Sequence, residues 1–259
     1  MRQSLGTCAC PRLAHRPRTA HSLLMRLLLL SNSTNPGQPF LAHAADPIRA
    51  FLGGVTSAVF VPFAAVRISW DDFSAAVRAR FAEMGVGIAG LHAASDPVAA
   101  VHAAEAIVVG GGNTFQLLRT LQTRGLTLAI TQRVRAGTPY VGWSAGANVA
   151  CPTVRTTNDM PIVEPPSLRA LGLVRFQINP HYLDAHPEGH GGETREERLL
   201  EFIEANRDVT VVGLREGSIL RVEDERIQLL GAKPVRVFKH GEAPREVRPE
   251  ESLQFLLQR

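Results

Sequence analysis

The sequence has little cysteine and no long apolar run. Only three cysteines occur in 259 residues, and two of them, Cys8 and Cys10, lie among the first ten residues. The remaining Cys151 cannot build an intramolecular disulfide framework in the body of the chain, which favours a reducing compartment. No apolar run approaches the 18 or more residues of a membrane span. These absences predict a cytoplasmic protein with no membrane partner.

The body of the chain also lacks net charge. The first 24 residues hold four arginines and no acidic residue, and removing them from the 28 basic side chains leaves 24 basic and 24 acidic. A neutral body argues against a nucleic-acid partner. Pro11 and Pro17 break any helix in this leader. We interpret residues 1–24 as a leader outside the folded protein, which then begins at Met25; a transit peptide or a secretory signal are the alternatives.

What the body does contain is a regular alternation of short apolar runs with helical patterns. Strands are predicted at Leu27–Leu30, Ser57–Pro62, Gly87–Leu91, Ala106–Val109, Tyr140–Gly142, Arg175–Asn179 and Val209–Leu214. The clearest helix is Ser69–Met84, whose apolar residues recur near a 3.6-residue period. Such alternation predicts an α/β fold with a doubly wound, mostly parallel sheet. Short strands after Glu216 predict an antiparallel tail, closed by a helix at Glu250–Leu257, and residues 25–259 are expected to form one domain.

The strongest single motif is Gly142-Trp143-Ser144-Ala145-Gly146, which follows an apolar strand and precedes a run of small residues. The pattern G-x-S-x-G between a strand and a helix is the nucleophile elbow, which lifts a serine hydroxyl to the top of the sheet. We therefore predict Ser144 as a catalytic nucleophile. The first N–H groups of the following helix would then face the developing negative charge.

A second loop, Gly110-Gly111-Gly112-Asn113, also joins a predicted strand to a predicted helix. It lacks the spacing of a dinucleotide fingerprint and the lysine of a P-loop, so no nucleotide cofactor is expected. The N–H groups of Gly112 and Ala145 are better candidates for an oxyanion hole.

A nucleophilic serine needs a base and an acid that orients it. His181 follows the predicted strand Arg175–Asn179 and is the best placed base. Asp159 and Glu216 are both candidates for the orienting acid, and the residues alone leave that choice open. His186, Glu188 and His190 could join His181 in a metal site, but their irregular spacing argues against it. Neither a metal nor an organic cofactor is therefore expected.

Six ordered segments carry a resemblance to a known family: GGGNT, GWSAGAN, TTNDMPI, NPHY, ETREERL and LREGS. Together they resemble peptidase E, the α-aspartyl dipeptidase family, whose relatives include cyanophycinase. The resemblance runs from Met25 through at least Glu216. It implies a fold like that of the class I glutamine amidotransferases and a serine peptidase that removes an N-terminal aspartate from Asp-X dipeptides.

The resemblance also implies roles for individual residues. It makes Ser144 the nucleophile and His181 the base, and it matches both Asp159 and Glu216 as the acid. An aspartyl side chain requires a cation, and Arg195 and Arg198 stand three residues apart on a predicted helix, with Asn113 as a further substrate-binding residue. A peptidase for β-aspartyl or cyanophycin-type peptides and a non-catalytic binding protein are the alternatives. Small peptides are the expected partners, and a monomer or a homodimer is the expected assembly.

Overall fold

A computed structural model describes residues 25–184, 189 and 191–258 of the chain. The strands are β1 (Arg26–Leu30), β2 (Ser57–Val61), β3 (Gly87–Gly90), β4 (Ile107–Val109), β5 (Tyr140–Trp143), β6 (Gln177–Pro180), β7 (Val211–Leu214), β8 (Ile219–Glu223), β9 (Arg226–Leu230), β10 (Val235–Phe238) and β11 (Arg245–Val247). The helices are α1 (Ala45–Leu52), α2 (Trp70–Ala82), α3 (Pro97–Ala103), α4 (Thr114–Thr123), α5 (Leu126–Arg135), α6 (Ala145–Asn148) and α7 (Arg195–Ala205). The predicted alternation of strands and helices is therefore confirmed.

The larger sheet has seven strands in the order β3-β2-β4-β5-β1-β8-β9. Its first five strands are parallel, whereas β8 and β9 pair antiparallel at the β1 side. Strand β1 shows why the sheet needs cover on both faces: its four leucines are fully buried, and they alternate between two apolar cores. Side chains of successive strand residues point to opposite faces, so a continuous apolar run fits a strand that is covered twice. The predicted mostly parallel α/β fold is confirmed.

A smaller sheet is the main feature that the sequence does not reveal. Strands β6 and β7 pair in parallel, and β10 and β11 add antiparallel strands to give the order β11-β10-β7-β6. The predicted C-terminal tail is thus divided, because β8 and β9 extend the larger sheet while β10 and β11 extend the smaller one. Strand pairing across such distances depends on which edges are free, which apolar periodicity does not encode. The predicted closing helix is reduced to a 3₁₀ turn at Gln254–Leu257.

Side-chain caps fix several helix starts near the sheet. Ser69 accepts a hydrogen bond from the Asp72 N–H at the start of α2, and Thr194 forms a complete capping box with Glu197 at the start of α7. Each cap satisfies N–H groups that have no acceptor within the helix. None of the helices among the described residues is long and apolar enough to span a membrane.

Candidate active site

Five chain segments meet where the strands of the two sheets end. Ser144 follows β5, the loop Gly110–Asn113 follows β4, and Ser31 follows β1 in the larger sheet, while His181 and Glu216 follow β6 and β7 in the smaller one. Loops at the carboxyl ends of parallel strands form the usual binding edge of α/β proteins. The second sheet therefore brings two of the predicted catalytic residues to the edge that carries Ser144.

Ser144 lies at a sharp turn between β5 and α6. Its φ of 53° and ψ of −115° are unusual for a residue with a side chain. The two glycines of the motif are required by close packing: a Cβ on Gly142 would lie 2.5 Å from the Gly146 carbonyl oxygen, and one on Gly146 would lie 2.2 Å from the Val109 oxygen. The predicted nucleophile elbow thus has the required strand–turn–helix context. A strained backbone at this point holds the serine side chain above the sheet.

The Ser144 hydroxyl, the His181 imidazole and the Glu216 carboxylate form a hydrogen-bonded chain. The His181 Nε2 lies 3.0 Å from Ser144 Oγ, and its Nδ1 lies 2.8 Å from Glu216 Oε1. A carboxylate only accepts, which assigns the ring proton to Nδ1 and leaves Nε2 free to accept from the serine hydroxyl. The side chains of His181 and Glu216 are 39% and 34% exposed, so a small substrate can reach the imidazole.

Asp159 lies elsewhere in the site. Its Oδ2 accepts hydrogen bonds from the Thr114 N–H at 2.7 Å, the Thr114 hydroxyl at 2.6 Å and the Thr157 hydroxyl at 3.1 Å. Thr114 is the first residue of α4, where a carboxylate is favoured by the free N–H groups and the helix dipole. Within the described part of the chain, Asp159 makes no hydrogen bond to His181. The histidine contacts Glu216 instead.

The glycine loop is pressed against the end of β2 and against the nucleophile. The Gly110 N–H donates to the Val61 oxygen at 3.1 Å, and the Asn113 N–H donates to the Ala64 oxygen at 2.8 Å. A Cβ on Gly112, whose φ is 135°, would lie 2.2 Å from that same Ala64 oxygen, and one on Gly111 would lie 3.0 Å from Ser144 Cβ. Only glycine permits this approach. The loop backbone therefore passes directly beside the serine.

Ala145, which directly follows Ser144, supplies the other predicted oxyanion donor. Ala145 is the first residue of α6 and is 1% exposed. A first-turn N–H has no acceptor inside its own helix, so it is available to a bound oxygen atom. Behind it, the buried Tyr140 hydroxyl donates to the Gly146 oxygen at 2.6 Å and ties the short helix to β5.

Asn113, predicted as a substrate-binding residue, uses both ends of its side-chain amide within the protein. Its oxygen accepts from the Gln116 N–H at 3.0 Å, which caps α4, and its nitrogen donates to the Met160 oxygen at 2.8 Å. The Asn113 side chain therefore holds the loop around Met160 against the glycine loop. A groove of about 450 Å³ runs alongside, lined by residues 64–68, Phe73, residues 111–113 and Ile162.

Arg195 and Arg198 differ in their surroundings. Arg195 is the first residue of α7 and is half-buried, and burial together with the neighbouring Arg198 lowers its pKa. Among the residues that the structure describes, Arg195 has no carboxylate partner. Arg198 is exposed, and its Nε lies 3.7 Å from Glu193 Oε2. A cation that is partly desolvated and unpaired is the more favourable site for a substrate carboxylate.

A network of ion pairs fixes the start of α7 on the smaller sheet. Arg236 bonds Glu196 of α7, and the Tyr182 hydroxyl donates to the same carboxylate at 3.2 Å. Burial and the carboxylates nearby raise the pKa of Tyr182 to about 12, so it stays protonated.

Arg215 holds the chain that follows His181. It binds Asp184 at 2.6 Å and Glu246 at 2.8 Å. These hydrogen bonds keep the pKa of both carboxyl groups below their usual values. Both networks orient segments that flank the imidazole.

Two further sequence features are the candidate metal ligands and Cys151. His186, Glu188 and His190 lie outside the described residues, and the described residues hold no cluster of three side chains suited to a metal. Cys151 is buried and free, and burial raises the pKa of its thiol to about 12, which makes it unreactive. Sequence reasoning missed Ser31 and Asn32, which lie beside the triad; the polar run after an apolar first strand was their only signal.

Known proteins are similar to this chain over most of its length. The family model for "Peptidase family S51" matches residues 27–230. "Peptidase E" of Escherichia coli O6:K15:H31 is 52% identical over 218 residues, covering 84% of this chain and 95% of that protein, and the protein of strain K12 / DH10B matches equally.

Two solved structures are similar in fold. A peptidase from an acI-B1 actinobacterium has a TM-score of 0.67 at 19% identity, covering 90% of this chain and 97% of that one. A Listeria monocytogenes protein assigned to peptidase E has a TM-score of 0.62 at 20% identity, covering 81% and 99%. The family match, the sequence identity and the serine–histidine–carboxylate chain lead to one conclusion: this chain belongs to peptidase family S51 and is a serine peptidase.

Proposed function

We propose that this protein is a dipeptidase that hydrolyses the peptide bond after an N-terminal aspartate, through an aspartyl ester on Ser144. The observation that carries the proposal is the chain of hydrogen bonds from Ser144 Oγ to His181 Nε2 and from His181 Nδ1 to Glu216 Oε1, at 3.0 and 2.8 Å. The 52% identity to proteins named peptidase E supports the choice of aspartyl dipeptides.

The reaction proceeds in two halves. His181 Nε2 takes the hydroxyl proton as Ser144 Oγ attacks the carbonyl carbon of the N-terminal aspartate. The C–N bond then breaks, and the imidazolium gives its proton to the leaving nitrogen, so the first product leaves with a neutral amino group. A water molecule then attacks the ester carbonyl while His181 takes its proton. The C–Oγ bond breaks, the imidazolium returns the proton to Ser144 Oγ, and free aspartate leaves. The carboxylate of Glu216 stabilises the imidazolium in both halves.

The negatively charged oxygen of each tetrahedral intermediate accepts hydrogen bonds from the N–H groups of Gly112 and Ala145. Both groups are fixed before substrate binds, one by the close approach of Gly112 to Ala64 and the other by its place at the start of α6. Donors that need no rearrangement stabilise developing charge efficiently, and losing one typically costs about 100-fold to 1000-fold in kcat.

Glu216 is the orienting acid in this proposal, and Asp159 has a separate task. The bonds from Asp159 to Thr114 hold the first turn of α4, which follows Gly112 and Asn113 directly. Asp159 thus supports one wall of the oxyanion hole from behind. Asn113 supports the same wall through its bonds to Gln116 and Met160.

Arg195 is the residue proposed to bind the side-chain carboxylate of the substrate aspartate. Its partial burial weakens competition from water, and the ion pairs that fix Glu196 hold the start of α7 in place. Arg198 adds positive charge nearby but remains paired with Glu193. The groove beside residues 111–113 offers space for the residue that follows aspartate.

The proposal also covers partners, location and assembly. The equal numbers of basic and acidic side chains in residues 25–259 support small peptides, rather than nucleic acid or a membrane surface, as partners. The single buried thiol of Cys151 supports a cytoplasmic site of action. We infer a monomer or a homodimer, which sedimentation equilibrium would distinguish.

The test is release of free aspartate from matched dipeptides at neutral pH. We expect hydrolysis of Asp-Ala, and little or none of Glu-Ala, Ala-Ala or the β-aspartyl isomer of Asp-Ala. Ser144→Ala should lower the turnover rate by several orders of magnitude. The unsubstituted protein should be labelled at Ser144 by a fluorophosphonate. Hydrolysis of the β-aspartyl peptide alone would favour the alternative substrate class. A labelled protein with no hydrolysis in the panel would refute the proposed substrate.

A further inference from the structure

The carboxyl end of β1 contacts the backbone near all three members of the proposed triad. The Leu30 oxygen accepts from the Ser144 N–H at 3.0 Å. The hydroxyl of the next residue, Ser31, accepts a hydrogen bond from the His181 N–H. The side-chain oxygen of Asn32 accepts from the N–H of Gly217, one residue beyond Glu216, at 2.8 Å. Three consecutive residues of one strand end therefore hold segments from both sheets.

Ser31 occupies the centre of this arrangement. Its side chain is fully buried, and its hydroxyl donates to the Leu214 oxygen at 2.7 Å while accepting from the His181 N–H at 2.9 Å. Leu214 is the last residue of β7, two positions before Glu216. One hydroxyl thus joins the strand ends that carry the base and the acid. The proton of this hydroxyl is committed to Leu214, so its lone pairs face the histidine amide.

The backbone of His181 needs such support. Its φ is 53°, in the left-handed region that a residue with a side chain rarely adopts. His181 also follows Pro180, whose oxygen accepts from the Asn158 side chain at 2.6 Å. In this backbone conformation the imidazole contacts Ser144 and Glu216 together. The Ser31 hydroxyl is the side chain that bonds the His181 amide directly.

We propose that Ser31 is a positioning residue for catalysis, which holds His181 in its left-handed conformation and fixes its distances to Ser144 and Glu216. This inference rests on the roles proposed above for those three residues. Ser31 touches neither the substrate nor a reacting atom, so its loss should lower kcat and leave KM nearly unchanged. A misplacement of about 1 Å can cost a factor on the order of 100 in rate.

The experiment compares Ser31→Ala with Ser218→Ala in the full-length protein. Ser218 is a matched control because it is equally buried and its hydroxyl donates to a backbone oxygen other than those near the triad, that of Lys233 at 3.3 Å. Its backbone oxygen accepts from the Ser31 N–H at 3.1 Å, a contact that Ser218→Ala keeps. Three quantities are measured: kcat and KM for Asp-Ala, the rate constant of fluorophosphonate labelling at Ser144, and the low-field proton resonance of the His181 Nδ1–H.

For Ser31→Ala we expect kcat and the labelling rate constant to fall together by roughly tenfold to 100-fold, with a shifted or broadened low-field resonance. Ser218→Ala should resemble the unsubstituted protein in all three. Equal losses in the two variants, or normal labelling and an unchanged resonance in Ser31→Ala, would overturn the inference. If Ser31→Ala does not fold, Ser31→Cys keeps a weak donor and acceptor at the same place and should show a smaller loss in the same quantities.

The labelling and resonance measurements do not depend on the substrate. A protein that labels at Ser144 but releases no aspartate would refute the proposed substrate and still test Ser31. A protein in which Ser144 takes no label would refute both proposals.

Discussion

The contact between Glu216 and His181 gives the sharpest prediction, because two acids compete for one role. Glu216→Gln keeps the size of the side chain but replaces the acceptor at 2.8 Å from Nδ1 with a group that can donate. An amide that donates to Nδ1 would move the ring proton to Nε2, which then could not accept from Ser144. The substitution should therefore disable the base without removing it.

The size of the loss follows from burial. In the serine-protease template, where the acid is buried, the corresponding change costs about 10⁴-fold in kcat. Here the Glu216 and His181 side chains are 34% and 39% exposed. Water can partly replace the lost acceptor and screens the carboxylate charge. We therefore expect a smaller loss, about 10³-fold in kcat, or about 4 kcal/mol in the activation free energy.

The assay is steady-state release of aspartate from Asp-Ala by Glu216→Gln and by Asp159→Asn, with thermal unfolding as a check on folding. Asp159→Asn removes a charge that caps α4 through Thr114 at 2.7 Å, so it should cost about 1 kcal/mol in stability and less than about tenfold in kcat. A larger loss of kcat in Asp159→Asn than in Glu216→Gln would refute the assignment of the acid.

Three further outcomes are expected. Gly146→Ala should lower the free energy of unfolding by about 3 kcal/mol, because the added Cβ would lie 2.2 Å from a backbone oxygen. Gly191→Ala should cost far less, because a Cβ there would meet no atom of the described residues within 4 Å. Urea titration measures both. Arg195→Met should lower kcat/KM for Asp-Ala by roughly 30-fold, with little effect on residual cleavage of Ala-Ala. Arg198→Met should lower kcat/KM for Asp-Ala much less. Equal losses on both peptides would show that Arg195 does not bind the aspartate carboxylate.

The third expected outcome concerns Arg215, which lowers the pKa of Asp184 below its ordinary value of 3.8 and that of Glu246 below its ordinary value of 4.5. Groups with a depressed pKa stabilise the folded state above those values and lose that contribution as the pH falls through the folded-state pKa. The stability deficit of Arg215→Gln should therefore shrink between roughly pH 6 and roughly pH 3. A deficit that stayed constant over this range in urea titrations would contradict the reasoning.

The turn at Ser144 could be predicted from a short stretch of sequence. The glycines at 142 and 146 and the apolar residues before Ser144 predict a strand, a sharp turn and a helix, because each step is decided by residues a few positions apart. The glycine loop at 110–113 is predicted for the same reason. His181 could be selected among the histidines because it follows a strand and so belongs at the sheet edge.

The choice between Asp159 and Glu216 could not be made in the same way. In the sequence, Asp159 lies in the loop after the nucleophile and Glu216 lies just after a predicted strand, and either carboxylate could orient the imidazole. The decision depends on β6 and β7 pairing in a second sheet, which places Glu216 2.8 Å from the imidazole while Asp159 faces α4. Strand pairing between distant segments leaves no periodic signal in either segment alone.

The sequence by itself thus determined the alternation of strands and helices, the neutral body and the predicted nucleophile and base of this protein, since periodicity, glycine spacing and composition are local properties. Only the tertiary structure decided which acid meets the histidine, which arginine is left unpaired among the described residues, and that Ser31 joins the two strand ends. Those features arise where segments far apart in the chain come within hydrogen-bond distance, 150 residues apart in the case of Ser31 and His181.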